Sequence, residues 1–230
     1  MNATITSKRK KLPVILEQEE VNTLLKEPSN RYPTGIRNKT ILLLMLNCGL
    51  RLSEVINLKP GDINLTKNKL RVENGKGGKD RNLGIPDYTA SQIEKWRDIR
   101  PKSKYFLTTL KGSKLSSRYI QIMVKRYGKR AGIKKNVYPH LLRHTYATEF
   151  YRGTRDLEKL RMILGHSNIS TTIIYVNLAS VEVEDAMKGF KEFGAEKRTI
   201  NINEMLKMFK VLNTLNPDLI KNYKEEYCGK

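Results

Sequence analysis

All three histidines of this 230-residue chain fall in one stretch: His140 and His144 in PHLLRHTYATEF and His166 in LGHSN. Arg143 lies three residues after the first of them and Tyr175 nine after the last. Such a set suits chemistry on an anion. A phosphodiester is cut without a metal when cations neutralise its non-bridging oxygens in the transition state and an acid protonates the departing oxygen. Arginine fits the first task, because its planar fork grips two phosphate oxygens and stays charged. Arg51, in CGLRLSEV, and Arg143 are the candidates, each embedded among apolar residues. Tyr175 is the candidate nucleophile, and a phenol of pKa about 10 needs a base or a cationic field to ionise. His140 or His166 fits as the base, and the arginines supply the field. A flexible lysine whose pKa is depressed by neighbouring cations can act as the acid, and the glycine-rich NGKGGKD offers Lys76 and Lys79.

Other chemistries fit the same residues less well. HLLRH has Leu141 where a zinc-protease motif needs glutamate, and no nearby cysteine or acidic cluster supplies a third ligand, so no metal is expected. A zinc site built from the three histidines is the one metal arrangement left open. NGKGGKD lacks the spacing and the Ser or Thr of a nucleotide-binding Walker loop. His144 reads as a structural hydrogen-bonding residue instead of a catalyst.

The elements that must position these groups are mostly helical. LPVILEQEEVNTLLKEP reads as an extended lead into a helix with acid in its first turn, stopped by Pro28. A nearly all-apolar helix follows from about Ile36 to Asn47, ended by Gly49, and a short helix opens behind Arg51 and runs to about Leu58. From Asp62 to Pro86 the pattern changes to three short strands around Asn64–Leu65, Leu70–Glu73 and Arg81–Ile85, with Lys76 and Lys79 on the second turn. A helix over about Thr89–Arg97 and a hairpin-like YFLTTLKGSKL come next, and Ser116 then caps a helix to about Arg130 that shows Tyr119, Ile122, Met123 and Arg126 on one face. Pro139 opens the helix of His140, Arg143 and His144; Asp156 caps a helix to Leu164; Gly165 ends it; and Ser170 caps the turn carrying Tyr175. Beyond Glu184 an apolar stripe of Met205, Leu206, Phe209, Leu212 and Leu215 predicts more helix. The fold class expected is therefore mainly α with a small antiparallel β-sheet, α+β.

Composition narrows the partner. Lys plus Arg outnumber Asp plus Glu by 44 to 23, a net charge of +21, which favours nucleic acid or an anionic surface. The longest apolar run, Ile41–Leu46, is far short of the roughly 20 residues that cross a bilayer. Met1–Leu12 is polar and basic where a secretory leader has its apolar core. With two cysteines and no disulfide framework, these features predict a cytoplasmic protein with no membrane partner.

CGLRLSEV, GKGGKDRNLGIP, PHLLRHTYAT and LGHSNISTTIIYV, in this order, resemble the four boxes of the tyrosine recombinases, the phage integrase and Xer-type enzymes. The resemblance covers about Leu12–Phe190 and implies a catalytic domain there, behind a basic arm at 1–11 and ahead of a helical tail at 191–230. It fills six active-site positions with Arg51, Lys76, His140, Arg143, His166 and Tyr175. The implied reaction is attack by Tyr175 on a scissile DNA phosphate, giving a 3′-phosphotyrosyl bond and a free 5′-hydroxyl without cofactor or metal. Arg51 and Arg143 would hold the phosphate, His166 support it, His140 take the tyrosine proton and Lys76 protonate the 5′ oxygen. Lys79, Arg81, Arg118, Lys125 and Arg126 are expected along double-stranded DNA. The tail is expected to join copies into a homo-oligomer, a tetramer on DNA, with another recombinase or accessory protein supplying the helical domain that family members carry ahead of the catalytic one. Two other readings use the same fold: a DNA-binding regulator, and a type IB topoisomerase-like enzyme that nicks and reseals.

Overall fold

The computed structural model of the chain describes residues 14–73, 80–166, 168 and 171–176. Expectations placed on Lys76, Lys79, Ser170, the arm at 1–11 and the tail at 191–230 lie outside these residues. The architecture is mainly helical with one small antiparallel sheet: helices α1 (Gln18–Lys26), α2 (Pro33–Asn47) and α3 (Leu52–Asn57), strands β1 (Ile63–Asn64), β2 (Lys69–Val72) and β3 (Arg81–Gly84), then helices α4 (Asp87–Ile99), α5 (Ser117–Arg130), α6 (Pro139–Thr154) and α7 (Leu157–Leu164). The strands lie in the order β1-β2-β3, with Leu70 opposite both Ile63 and Leu83.

The apolar α2 is the centre of the core and packs against α4 on one side and α6 on another. Residues Ile41 to Met45 are wholly buried, and burial contributes about 1.5 to 3 kcal/mol for each large apolar side chain. The helix begins at Pro33, one turn before the Ile36 expected from the apolar pattern. Proline suits a first helical position because its missing N–H has no partner there anyway. That early turn also needs Gly35, where a Cβ would stand 1.9 Å from the Ser29 carbonyl oxygen.

Helix α5 is tied to α2 by a buried polar network. Arg37 donates to the Thr108 carbonyl at 2.9 Å, to Asn38 Oδ1 and to the Tyr119 hydroxyl, while Asn38 Nδ2 donates to Tyr127. The side of α5 that is buried carries Ile120, Met123, Val124 and Tyr127. Ile122 and Arg126 therefore face outward, so the mixed face expected from the sequence is divided between core and solvent. The hairpin expected at YFLTTLKGSKL is reduced to one bridge between Thr108 and Lys114. Its backbone is committed elsewhere: Phe106 N donates to the Leu58 carbonyl, and the Phe106 carbonyl accepts from Trp96 Nε1 and Arg100 Nε. Among the described residues no helix is long and apolar enough to cross a membrane.

Candidate active site

Two helix starts and one helix end build the site. Tyr138 is extended and Pro139 begins α6, which leaves His140 exposed and sends Arg143, three residues on, into the protein. Arg51 is the residue before α3; its backbone N–H is capped by Glu54 Oε2 at 2.7 Å, so its side chain projects from the helix start. The helix end is that of α7, terminated by Gly165 in the left-handed conformation. A helix end leaves carbonyls without intrahelical partners and carries the negative end of the dipole. Here four consecutive carbonyls are each taken by a different arginine. Ile163 accepts from Arg81 Nε at 2.6 Å, Leu164 from Arg143 Nη2 at 2.6 Å, Gly165 from Arg51 Nη2 at 3.0 Å and His166 from Arg161 Nη1 at 2.9 Å.

Glu54 ties three of these cations together. Its carboxylate accepts from Arg81 through both oxygens at 2.9 Å, from Arg51 Nη1 at 3.0 Å, and has Arg143 Nη1 3.8 Å away. Burial alone would raise the Glu54 pKa, but hydrogen bonds and charge from Arg81, with the Arg51 N–H and Arg143, bring it below the usual carboxylate value. Three guanidiniums around one carboxylate leave a surplus of two positive charges. Arg143 also donates to the Gly49 carbonyl at 2.5 Å. Gly49 sits at φ +64°, and a Cβ on it would lie 2.4 Å from the Tyr146 ring, so only glycine presents that carbonyl here. Burial, reinforced by Arg51, lowers Arg143 to about 10, which leaves it charged at neutral pH.

Arg51, His140 and Arg143 line one cleft of about 360 Å³ between α3, α5 and α6, with Lys125 on its α5 wall. A larger cleft, about 750 Å³, lies on the other side of Arg51 between α3 and β2 and is bordered by charges of both signs, among them Glu54, Arg71 and Asp80. The smaller cleft holds the cations and the histidine together, so it is the better place for a phosphate.

The tautomer of His166 follows from its partners. Nε2 faces Arg143 Nη2 at 3.4 Å, and a guanidinium can only donate, so the proton sits on Nδ1 and is donated to Thr172 Oγ1 at 3.0 Å. Burial first, then the charges of Arg143, Arg51 and Arg81, lower its pKa to about 4, and the ring is neutral at pH 7. Tyr175, in a helical turn over residues 173–176, is 2% exposed. Its hydroxyl lies 2.9 Å from His144 Nδ1. Burial pushes the phenol up to about 12, with Arg143 and Arg51 pulling the other way. His144 is lowered by burial, then by His140 and Arg143, and is neutral as well.

Of the six residues singled out in the sequence, the described structure brings Arg51, His140, Arg143 and His166 around the cleft and the α7 end, with Tyr175 behind them against His144. Lys76 lies outside the described residues, as does Lys79. Arg118, Lys125 and Arg126 are exposed on α5. Arg81, expected along DNA, is turned inward to Glu54 and Ile163, its side chain 9% exposed. Sequence reasoning gave the tyrosine proton to His140 or His166 and left His144 a hydrogen-bonding residue. In the structure its partner is the Tyr175 hydroxyl, a contact across 31 residues between α6 and the turn over 173–176. Glu54 was missed as well; the visible signal is its place three residues after Arg51 at a helix start, where a carboxylate caps. Among the described residues no group of three or more His, Cys, Asp and Glu side chains gathers to hold a metal ion.

A mainly helical domain with an edge sheet and this clustering of arginines, histidines and tyrosine is the catalytic domain of a tyrosine recombinase. The chain belongs to the phage integrase family, whose model matches residues 15–182. It is 39% identical over 184 residues to the tyrosine recombinase XerA of Thermococcus kodakarensis, covering 78% of this chain and 64% of that one. It is 37% identical over 173 residues to the tyrosine recombinase XerC of Histophilus somni, covering 74% and 58%. Among solved structures, the crystal structure of a XerA recombinase superposes with a TM-score of 0.70 at 28% identity, over 80% of this chain and 68% of that one. The XerH site-specific recombinase bound to palindromic difH substrate in a post-cleavage complex superposes with 0.68 at 28% identity, over 79% and 54%. The chain thus spans less than two thirds of the length of these curated relatives.

Proposed function

We propose that the chain cuts and rejoins double-stranded DNA by transesterification through Tyr175, as the catalytic part of a site-specific recombinase acting in the cytoplasm. The observation that carries this reading is the convergence of Arg51, His140 and Arg143 on one cleft while the α7 end, which leads into Tyr175, is gripped by the same arginines. The solved XerH complexes with difH DNA, before and after cleavage, support DNA as the partner.

In this reading a scissile phosphate enters the cleft and its non-bridging oxygens meet Arg51 and Arg143, which stay charged and cost no reorganisation. Neutral His166 steadies Arg143 through Nε2. The Tyr175 oxygen attacks phosphorus, the bond to the 5′ oxygen breaks, and a 3′-phosphotyrosyl bond replaces it. The phenolic proton passes to His144 Nδ1, 2.9 Å away, and Lys76 protonates the departing 5′ oxygen. Attack by a 5′-hydroxyl on the phosphotyrosine reverses the step and returns the proton, so the energy of the broken bond is kept and neither ATP nor metal is consumed. Exposed Lys125 and Arg118 and Arg126 on α5 meet neighbouring phosphates, and the tail at 191–230 joins copies on DNA.

The test uses duplexes nicked beside candidate sites, so that the cleaved fragment diffuses away and the covalent product accumulates. The native protein should yield a protein–DNA adduct on a denaturing gel and Tyr175→Phe none, with DNA binding intact in both. Tight binding of a validated site with no adduct from the native protein refutes the reading. Truncation after Phe190 should lower oligomerisation on DNA; unchanged assembly refutes the assignment of the tail.

A further inference from the structure

We infer that Arg81 is a positioning residue for the cleavage step: it saturates Glu54, so that Arg51 and Arg143 keep surplus charge for the phosphate, and it anchors the Ile163 carbonyl of the segment those arginines grip. The inference rests on the strand-cleavage reading above. Three observations lead to it. The first is burial: the Arg81 and Glu54 side chains are 9% and 8% exposed, so this cation serves the protein interior. The second is saturation. Glu54 Oε1 takes Arg81 Nη1 and Arg51 Nη1 at 2.9 and 3.0 Å, and Oε2 takes Arg81 Nη2 and the Arg51 backbone N–H at 2.9 and 2.7 Å. The third is placement. Arg81 opens β3, five residues after Lys76 in the sequence, and reaches both α3 and the end of α7.

Without Arg81 the carboxylate has one side-chain partner left, Arg51, and the next guanidinium within reach is Arg143 Nη1, 3.8 Å from Oε2. Both would be drawn onto Glu54, and the pair meant for a dianionic transition state would be partly neutralised by the protein's own acid. The surplus falls from two charges to one. Lysine is no equal substitute, because one compact ammonium cannot bridge two carboxylate oxygens and a carbonyl as a planar fork does. Arg81 itself need not touch DNA for any of this.

The experiment measures single-turnover adduct formation on the nicked duplex with the full chain, beside DNA affinity as a function of salt. Arg81→Gln should slow adduct formation roughly 10- to 100-fold, short of the roughly 10²- to 10³-fold of losing a donor that itself touches the transition state, with affinity and salt slope unchanged because no group that meets DNA is removed. Adding Glu54→Gln should restore about tenfold of that loss, since the acid that captures the arginines is gone; residues in contact couple in stability whatever their role, so melting temperatures are measured beside the rates, and a rescue that merely follows the melting temperature refutes the inference. Where Arg81→Gln shows no cooperative melt, Arg81→Lys carries the same test, slower than native and improved by Glu54→Gln. The inference fails if Arg81→Gln cleaves within twofold of native, if the double variant is no faster than the single, or if the salt slope drops by about one, the mark of a lost phosphate contact. An adduct absent from the native protein sinks the strand-cleavage reading and this inference with it, whereas a native adduct with any of the refuting results above sinks Arg81's part alone.

Discussion

Replacing His144 by alanine removes the imidazole that the Tyr175 hydroxyl faces at 2.9 Å, and the size of the effect can be worked from the burial of the phenol. With Tyr175 held at about 12, roughly one phenol in 30,000 is ionised at pH 7.5, and ionising it in advance costs about 6 kcal/mol at 1.36 kcal/mol per unit. A base that accepts the proton while the new bond forms avoids that prior step and contributes roughly 10²- to 10⁴-fold. His144 is lowered from its ordinary value, by burial first and then by His140 and Arg143, so it is neutral and able to accept throughout the range above about pH 6.5. The native single-turnover rate on a nicked duplex is therefore expected to be flat from about pH 6.5 to 8.5. The His144→Ala rate should fall about 100-fold at pH 7 and climb about tenfold per pH unit, because only phenolate formed in advance can attack. Leaving the buried Tyr175 hydroxyl without this partner costs about 1 to 3 kcal/mol of stability, so the variant melts several degrees lower and its rates are read below that melt. A His144→Ala rate within threefold of native with a flat profile refutes the reasoning. The same loss in His140→Ala alone would return the proton to His140.

Gly49→Ala should destabilise the domain by about 2 to 4 kcal/mol, from a left-handed backbone and a methyl driven against Tyr146, and should slow cleavage through the displaced carbonyl that holds Arg143; an unchanged denaturation midpoint argues against it. His166 has its folded pKa depressed to about 4, so its stabilising contribution is complete above the unfolded value near 6.5 and is lost as pH falls towards 4. After discounting for partial exposure this is roughly 2 kcal/mol, read as a fall in melting temperature between pH 6.5 and 4 that His166→Gln should flatten; equal pH dependence in both proteins contradicts the assignment. Lys125→Ala, on the wall of the Arg51 cleft, should weaken DNA binding and reduce the salt slope by about one, where Tyr175→Phe leaves both unchanged; a slope unaltered by Lys125→Ala removes that lysine from the phosphate path.

What could be read from the chain and what could not divide along the range of the forces involved. Helices α5, α6 and α7 begin where Ser116, Pro139 and Asp156 place them, and α7 ends at Gly165, because caps and breakers act within one turn. The sheet follows from its turns and its alternating burial. Arg51 and Arg143 stood out because a charge among apolar neighbours has to find buried partners. Those partners were hidden, since Gly49, Glu54 and the Leu164 and Gly165 carbonyls at the α7 end come together only in the folded chain. Arg81 looked like one more cation beside a lysine-rich turn, and only its approach to Glu54 across 27 residues reveals that it faces inward. Likewise α2 gains a turn beyond its apolar pattern because Gly35 lets the helix start pass close to Ser29, a contact that no periodicity encodes.

The end of α7 behaves as a ruler. Ile163, Leu164, Gly165 and His166 each offer one carbonyl to one arginine from a fixed place elsewhere in the fold, so a single residue inserted or deleted there would shift every pairing by one and move His166 and Tyr175 out of step with the cleft. Length in this segment is therefore constrained more tightly than the identity of most of its side chains. Point substitutions at exposed Met162 or Lys159 should be tolerated where a one-residue change of length is not. The turn over 110–113 is held by bonds among Ser103, Thr109, Gly112 and Ser113, none of which reaches the cleft, so a change of length there leaves the register of the site alone.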